Sequence, residues 1–294
     1  MKYFKKDLFK SKSSLFLILA VFLFFSCKTT FLPDRYTDPE ILETNLLYPE
    51  EINWQELGID GLKDSNFQYT GFQIKSQKIE WKCIRIDLNA ENLQITAEPQ
   101  NSDSGKSFYL KNFSKKKKSL AAINTVPFAK TKRGLSPISI VKIDGKTICP
   151  LNENYSALAF STNPLRASII EFQNQNDIEQ YPYVFGGFFT ILKDGYIYEF
   201  QKNKRSRSAA GISRDGRYLY LFACKGINCP TGRNGLNFEE CALILKKLGA
   251  TSAMQFDGGH STGLTLKDKD FLHPDLQRKV PAALGFLYKN NYSN

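Results

Sequence analysis

From Phe67 onward, apolar side chains recur in short runs with a period of two rather than along a helical stripe. "WKCIRIDL" (81–88) sets Cys83, Arg85 and Asp87 on one side and Ile84, Ile86 and Leu88 on the other, the alternation of a β-strand. "LAAIN", "ISIVKIDGK", "FFTILKDGYIYEF" and "RYLYLFAC" continue it. Asp144-Gly145, Asp194-Gly195 and Asp215-Gly216 each lie between two such runs, where an Asp-Gly pair predicts a tight hairpin turn. One segment has helical spacing instead: Phe238, Cys241, Leu245 and Leu248, with Ile244 beside them. Asn237 and Glu240 form a capping-box start, Lys246 and Lys247 suit the negative end of the helix, and Gly249 supplies the stop. The strand "TSAMQF" follows and ends at Asp257, before Gly258 and Gly259. Residues 28–65 are polar, carry Pro33, Pro39 and Pro49, and predict a tether with one short helix near Glu50 to Leu57. The pattern as a whole predicts one α+β domain over 66–290, built of mixed, largely antiparallel sheets with few helices.

The first 27 residues read as an export signal. Lys2, Lys5, Lys6, Lys10 and Lys12 precede an apolar run, Leu15 to Phe25, that is shorter than the roughly 20 residues a membrane span needs. The run closes on Ser26-Cys27 in the manner of a bacterial lipobox, which predicts a lipid on Cys27 and an anchored protein of the bacterial cell envelope. Of 40 basic and 29 acidic side chains, five lysines and Asp7 fall in that segment, leaving 35 against 28, a charge of +7 for the rest. A balance of that sign suits an anionic substrate or surface. Lys115 to Lys118 read as a solvated turn, and export argues against a nucleic-acid partner. Five cysteines remain beside Cys27: Cys83 and Cys241 read as core, while Cys224 and Cys229 are spaced to close a small loop in an oxidising compartment. No Cys/His or acidic cluster has metal-ligand spacing, so neither metal nor cofactor is expected.

Asp257-Gly258-Gly259-His260-Ser261 resembles the D-G-G-G-S motif of the phosphodiester glycosidases. Three further blocks of that family have counterparts upstream: Gly235 to Ala242, Arg207-Ser208-Ala209-Ala210-Gly211, and Gly186-Gly187 with Asp194-Gly195. Arg278 matches an arginine before the last strand. Ala122-Ile123-Asn124 begins the family's A-[IVM]-N turn, which continues here as Thr125-Val126-Pro127-Phe128 and lacks the usual small residues. A second departure puts His260 in place of the third motif glycine.

The resemblance implies hydrolysis between a sugar's anomeric carbon and the phosphate of a sugar phosphodiester. The residue types suit that chemistry. Arg207 and Arg278 offer planar forks to phosphate oxygens, and Gly187, with Gly186, an exposed backbone N–H. Ser261 offers a hydroxyl beside Gly258 and Gly259, which permit close approach, and Asn124 belongs to the same pocket by resemblance. Asp257 is the candidate to stabilise a positive sugar or activate water. His260 is a candidate proton carrier, and Glu240 a further catalytic candidate that serves equally as the capping-box partner. Two other readings remain open on sequence: a phosphosugar-binding lipoprotein that lacks the chemistry, and a structural envelope lipoprotein.

Overall fold

The structure, a computed structural model, describes residues 36–37, 47–59, 61–100, 106–229 and 232–289. Cys27 and the rest of the expected signal lie outside these residues. Three antiparallel sheets and a separate hairpin make up the described chain. The largest has nine strands in the order β1 (Tyr36–Thr37), β15 (Tyr196–Tyr198), β14 (Thr190–Lys193), β18 (Ser252–Gln255), β16 (Arg207–Ile212), β17 (Tyr218–Gly226), β4 (Ile79–Asp87), β3 (Leu62–Ile74) and β2 (Gln55–Ile59). A five-stranded sheet runs β10 (Lys146–Cys149), β9 (Val141–Ile143), β13 (Tyr183–Gly186), β11 (Ala157–Thr162) and β12 (Leu165–Ile170). The other five-stranded sheet runs β20 (Lys269–Leu272), β19 (Leu264–Leu266), β6 (Ala121–Asn124), β21 (Ala283–Tyr288) and β5 (Leu93–Glu98). Strands β7 (Phe128–Thr131) and β8 (Gly134–Pro137) pair only with each other among the described residues. Helices α1 (Leu110–Lys117), α2 (Gln175–Glu179) and α3 (Phe238–Leu248) complete the α+β architecture.

The nine-stranded sheet is buried on both faces, so its central strands alternate between two cores rather than between core and water. Ile84, Ile86, Leu219, Leu221, Ala210 and Met254 face the five-stranded sheets, where they meet Val141, Leu158, Phe185, Ile123 and Phe286. Trp81, Cys83, Phe222, Cys224 and Ala253 face the other way, against Cys241, Ile244, Leu245 and Leu248 of α3. Each such aliphatic side chain, fully buried, stabilises the fold by about 1.5–3 kcal/mol. Helix α3 begins as its sequence requires: Asn237 Oδ1 accepts from Glu240 N and Glu240 Oε2 from Asn237 N, both at 2.8 Å. Gly249 closes it with φ of 110°.

The Asp-Gly turns between β9 and β10 and between β14 and β15 have both residues at positive φ, the geometry that matches strand twist. The expected helix near Glu50 to Leu57 is absent: Gln55–Ile59 is strand β2, paired to β3. Leu47 and Leu57 are buried in the cores, so residues assigned to a tether contribute to the fold from Leu47 onward. Lys115 to Lys117 form the last turn of α1, where cations oppose the helix dipole, rather than a turn. None of the five described cysteines is disulfide-bonded; Cys224 is buried on the α3 face, where its Sγ donates to Arg205 O at 3.8 Å, and it is not joined to Cys229.

Candidate active site

Strand β18 follows β16 as far as Ala209↔Gln255 and then leaves the sheet. Phe256 N still donates to Ser208 O at 2.8 Å, but Asp257 N donates across to Thr125 O, in the turn after β6, at 2.8 Å. Asp257 therefore stands where the nine-stranded sheet meets the sheet containing β6. Asn124 locks this junction. Its Nδ2 donates to Asp257 O at 2.7 Å, and its Oδ1 accepts from Ser208 Oγ at 2.7 Å and Gly263 N at 3.0 Å. Gly258 passes so close to the β16 chain that a Cβ there would lie 2.7 Å from Ser206 O. Gly259 has φ of 62°, and the short 3-10 turn Gly259–Ser261 follows.

That turn brings three predicted residues together. Arg278 Nε donates to Ser261 Oγ at 2.8 Å, and its Nη2 lies 3.5 Å from Asp257 Oδ2. The Arg278 backbone N–H donates to His260 O at 3.0 Å, and its guanidinium lies 4.6 Å from the centre of the Phe128 ring. Burial pushes the Asp257 carboxyl above its ordinary range, and Ser261, Arg278 and the Gly258 N–H only partly offset it. Oδ2 itself makes no hydrogen bond: the Arg278 contact is a charge contact at 3.5 Å without bonding geometry. The Thr125 and Thr262 hydroxyls and both amide atoms of Gln255 are likewise buried without a hydrogen-bond partner. A buried polar atom left unpaired costs about 1–3 kcal/mol. Five of these unpaired atoms fall on two short segments, Thr125 and Gln255 to Thr262, on either side of the Asp257 N to Thr125 O bond. His260 is half-buried in the same turn.

The structure separates the other candidates from this cluster. Gly187 N donates to Ser156 O at 2.9 Å and Gly186 N to Ile140 O at 2.8 Å, so neither offers a free N–H. Their role is close packing: a Cβ on Gly187 would lie 2.3 Å from Gln255 O, and one on Gly186 1.9 Å from Ser139 Oγ. Glu240 has both oxygens occupied, Oε2 by the α3 cap and Oε1 by Lys204 Nζ at 2.8 Å. Arg207 donates from Nε to Leu236 O at 3.2 Å and from Nη2 to Asn203 O at 2.6 Å, with its guanidinium 4.1 Å from the Phe238 ring centre. Burial there lowers its pKa, and the groups that act on it are Cys241, Cys224 and Arg205, not Asp257. Asn124 meets the cluster through its protein-held amide, as a clamp and not as a surface for a ligand. Sequence reasoning assigned no role to Gln255, Thr125, Thr262, Ser208 or Phe128, although Ser208, Thr125 and Phe128 lie in the blocks that carry the resemblance and Gln255 is the polar residue inside "AMQF".

A cleft of about 600 Å³ lies elsewhere, between Tyr69, Phe72, Lys82 and Phe271, and none of the candidate residues lines it. Most of its polar lining residues are exposed, whereas Asp257 is a buried carboxyl with an unbonded oxygen beside a guanidinium, so the chemistry points to Asp257.

A family model described as phosphodiester glycosidase matches residues 117–287. No curated protein matches the chain. Among solved structures, the chain is similar to the catalytic domain of zebrafish N-acetylglucosamine-1-phosphodiester alpha-N-acetylglucosaminidase, auto-inhibited by its pro-peptide. There the TM-score is 0.62 at 16% identity, over 81% of this chain and 88% of that one. A hypothetical protein from Synechocystis matches with a TM-score of 0.54 at 15% identity, over 76% of this chain but only 62% of its own length. A protein described as exported, from Burkholderia pseudomallei, matches with a TM-score of 0.53 at 14% identity, over 71% of this chain and 74% of that one. At such identities these three show a shared fold.

Proposed function

This chain belongs to the phosphodiester glycosidase family, and from that premise we propose that it hydrolyses a sugar phosphodiester of envelope glycans at the Asp257–Ser261–Arg278 cluster. The observation that carries the reading is Asp257 itself: a buried carboxylate with an unbonded oxygen, 3.5 Å from a half-exposed guanidinium. Water attacks the anomeric carbon, the bond from that carbon to the phosphate oxygen breaks, and the products are the free sugar and a phosphomonoester. Positive charge grows on the sugar as that bond lengthens. An ionised Asp257 opposes it, or takes the proton of the attacking water. The leaving phosphate is a weak base that departs without a strong general acid. Arg278 holds its oxygens through the donors not occupied by Ser261, and His260, in the same turn, is placed to relay a proton.

The test is a hydrolysis screen of sugar-1-phosphodiesters with the full chain in detergent. Release of free sugar with an equal amount of phosphomonoester is expected. No release from any sugar, together with a rise in melting temperature on adding phosphosugars, would replace the enzyme with a binding lipoprotein.

The same reading has the protein anchored in the bacterial envelope by lipid on Cys27, supported by the basic, apolar and small-residue order of residues 1–27. Wild type is expected in the detergent phase of a phase-partition assay, and Cys27→Ala in the aqueous phase or as uncleaved precursor. Aqueous partitioning of both would remove the anchor.

A further inference from the structure

The hairpin β7–β8 grows directly from the floor of the site. Asn124 and Thr125 hold the Asp257 backbone, and three residues later Phe128 lies under the Arg278 guanidinium. Ile138 N donates to Pro127 O at 2.9 Å and closes the hairpin base. Beyond that base the ribbon pairs with no other described strand, and Lys130, Thr131, Lys132 and Arg133 are exposed at its end. None of those three cations makes an ion pair with a described residue, although Lys111 and Lys117 nearby in sequence do. No acidic residue occurs anywhere between Lys106 and Ile143.

Side chains two apart in a strand share a face, so Lys130 lies on the face of β7 that Phe128 turns toward Arg278. A strand advances about 3.3 Å per residue, which sets Lys130 about 7 Å beyond Phe128 and the turn cations about 13 Å beyond it. Arg278, Lys130 and the pair Lys132 and Arg133 thus form a line of positive charge leading away from Asp257. One phosphate needs one such group. A line of them suits a chain in which phosphates repeat.

Resting on the reading of Asp257 and Arg278 as the cleaving centre, we infer that the substrate is a polymeric phosphodiester chain, and that the β7–β8 hairpin holds the phosphates next to the scissile one. A lipid surface is the poorer fit, because interfacial binding combines cations with inserted apolar side chains and residues 130–134 carry none. Single-stranded nucleic acid is poorer too, since its bases need exposed aromatic platforms and Phe128 is covered by Arg278.

Binding, not turnover, provides the test. The full chain is titrated with a poly(glycerol phosphate) oligomer, which repeats phosphodiesters but has no glycosidic bond to cleave. The variant Lys130→Gln/Lys132→Gln/Arg133→Gln is compared with Lys115→Gln/Lys116→Gln/Lys118→Gln, an equal charge loss at exposed lysines at the end of α1. The hairpin variant is expected to lose at least about tenfold in affinity and to flatten the dependence of log K on log salt by about 2, at roughly 0.7 per phosphate released. The α1 variant should keep wild-type affinity and slope. Equal losses in both variants would mean general charge attraction and overturn the assignment, as would unchanged binding in the hairpin variant. Binding to phosphatidylglycerol vesicles that depends on the hairpin while oligomer binding does not would give the ribbon to the membrane. Because the oligomer is not cleaved, hairpin-dependent binding with no sugar released in the hydrolysis screen would remove the enzymatic reading alone. Sugar release with no hairpin effect would remove this one alone.

Discussion

Asp257→Asn is expected to lower turnover of a sugar phosphodiester by roughly two to four orders of magnitude, the range for a lost acid–base group, without lowering the melting temperature at neutral pH. The two outcomes share one cause. The carboxyl is buried, and that burial raises its pKa in the folded protein above the unfolded value of about 3.9. A folded state that holds its proton more tightly than the unfolded state loses stability as pH rises from the unfolded pKa through the folded one, and the loss is complete above both. Asparagine keeps the shape and has no such loss. The variant should therefore gain on wild type as pH rises, and the gap should level off below about pH 4, where the carboxyl is protonated in both states. Wild-type kcat/KM should rise across the same window, with its acid limb above the ordinary aspartate range, because the ionised form does the work. Thermal melts and pH–rate profiles of the two proteins check both statements. An active Asp257→Asn protein would take the carboxylate out of the chemistry. An inactive one with a lower melting temperature at neutral pH would mean that Asp257 mainly holds the turn.

What the sequence shows well is what local chemistry decides. Asn237, Glu240 and Gly249 delimit α3 because a capping box and a left-handed glycine act within a few residues of themselves. The Asp-Gly turns are legible for the same reason. The segment near Glu50 to Leu57 failed because its fate depends on β3: Ile52 and Trp54 pack against the α3-side core and Leu57 lies in the other, an arrangement that pairing across the sheet imposes. The site divides along the same line. Asp257 was visible as a carboxylate at a strand end before two glycines. Arg207 and Arg278 could not be ranked, since the distinction lies in what surrounds each guanidinium: Leu236 O, Asn203 O and Phe238 for one, Asp257, Ser261 and Phe128 for the other. Gly186 and Gly187 read as places where a ligand could approach the backbone. The partner that approaches is the protein's own β18 and Ser139.

Arg278→Ala is expected to reduce kcat/KM on a sugar phosphodiester by roughly 10- to 150-fold, the equivalent of about 1.5–3 kcal/mol for a charge-assisted hydrogen bond to phosphate. Arg278→Lys should lose less, because it keeps the charge and gives up only the two-pronged geometry. Slow cleavage of an uncharged aryl glycoside of the same sugar has no phosphate to hold, so at a pH where Asp257 is fully ionised neither variant should change it by more than a few-fold. A second readout separates gripping phosphate from merely ordering the turn. Arg278 is one of the groups that hold the Asp257 carboxyl down against the effect of burial. Removing its charge should shift the acid limb of the pH profile further toward neutral in Arg278→Ala, on both substrates, while Arg278→Lys leaves the limb near the wild-type position. Equal losses on the two substrates at the plateau, with the limb unmoved, would mean that the Arg278 side chain serves only to fix Ser261. The phosphate would then have to be held by another group. Arg207 is the next candidate, because its guanidinium has donors left over from Leu236 O and Asn203 O, and Arg207→Ala measured on the same pair of substrates would decide it.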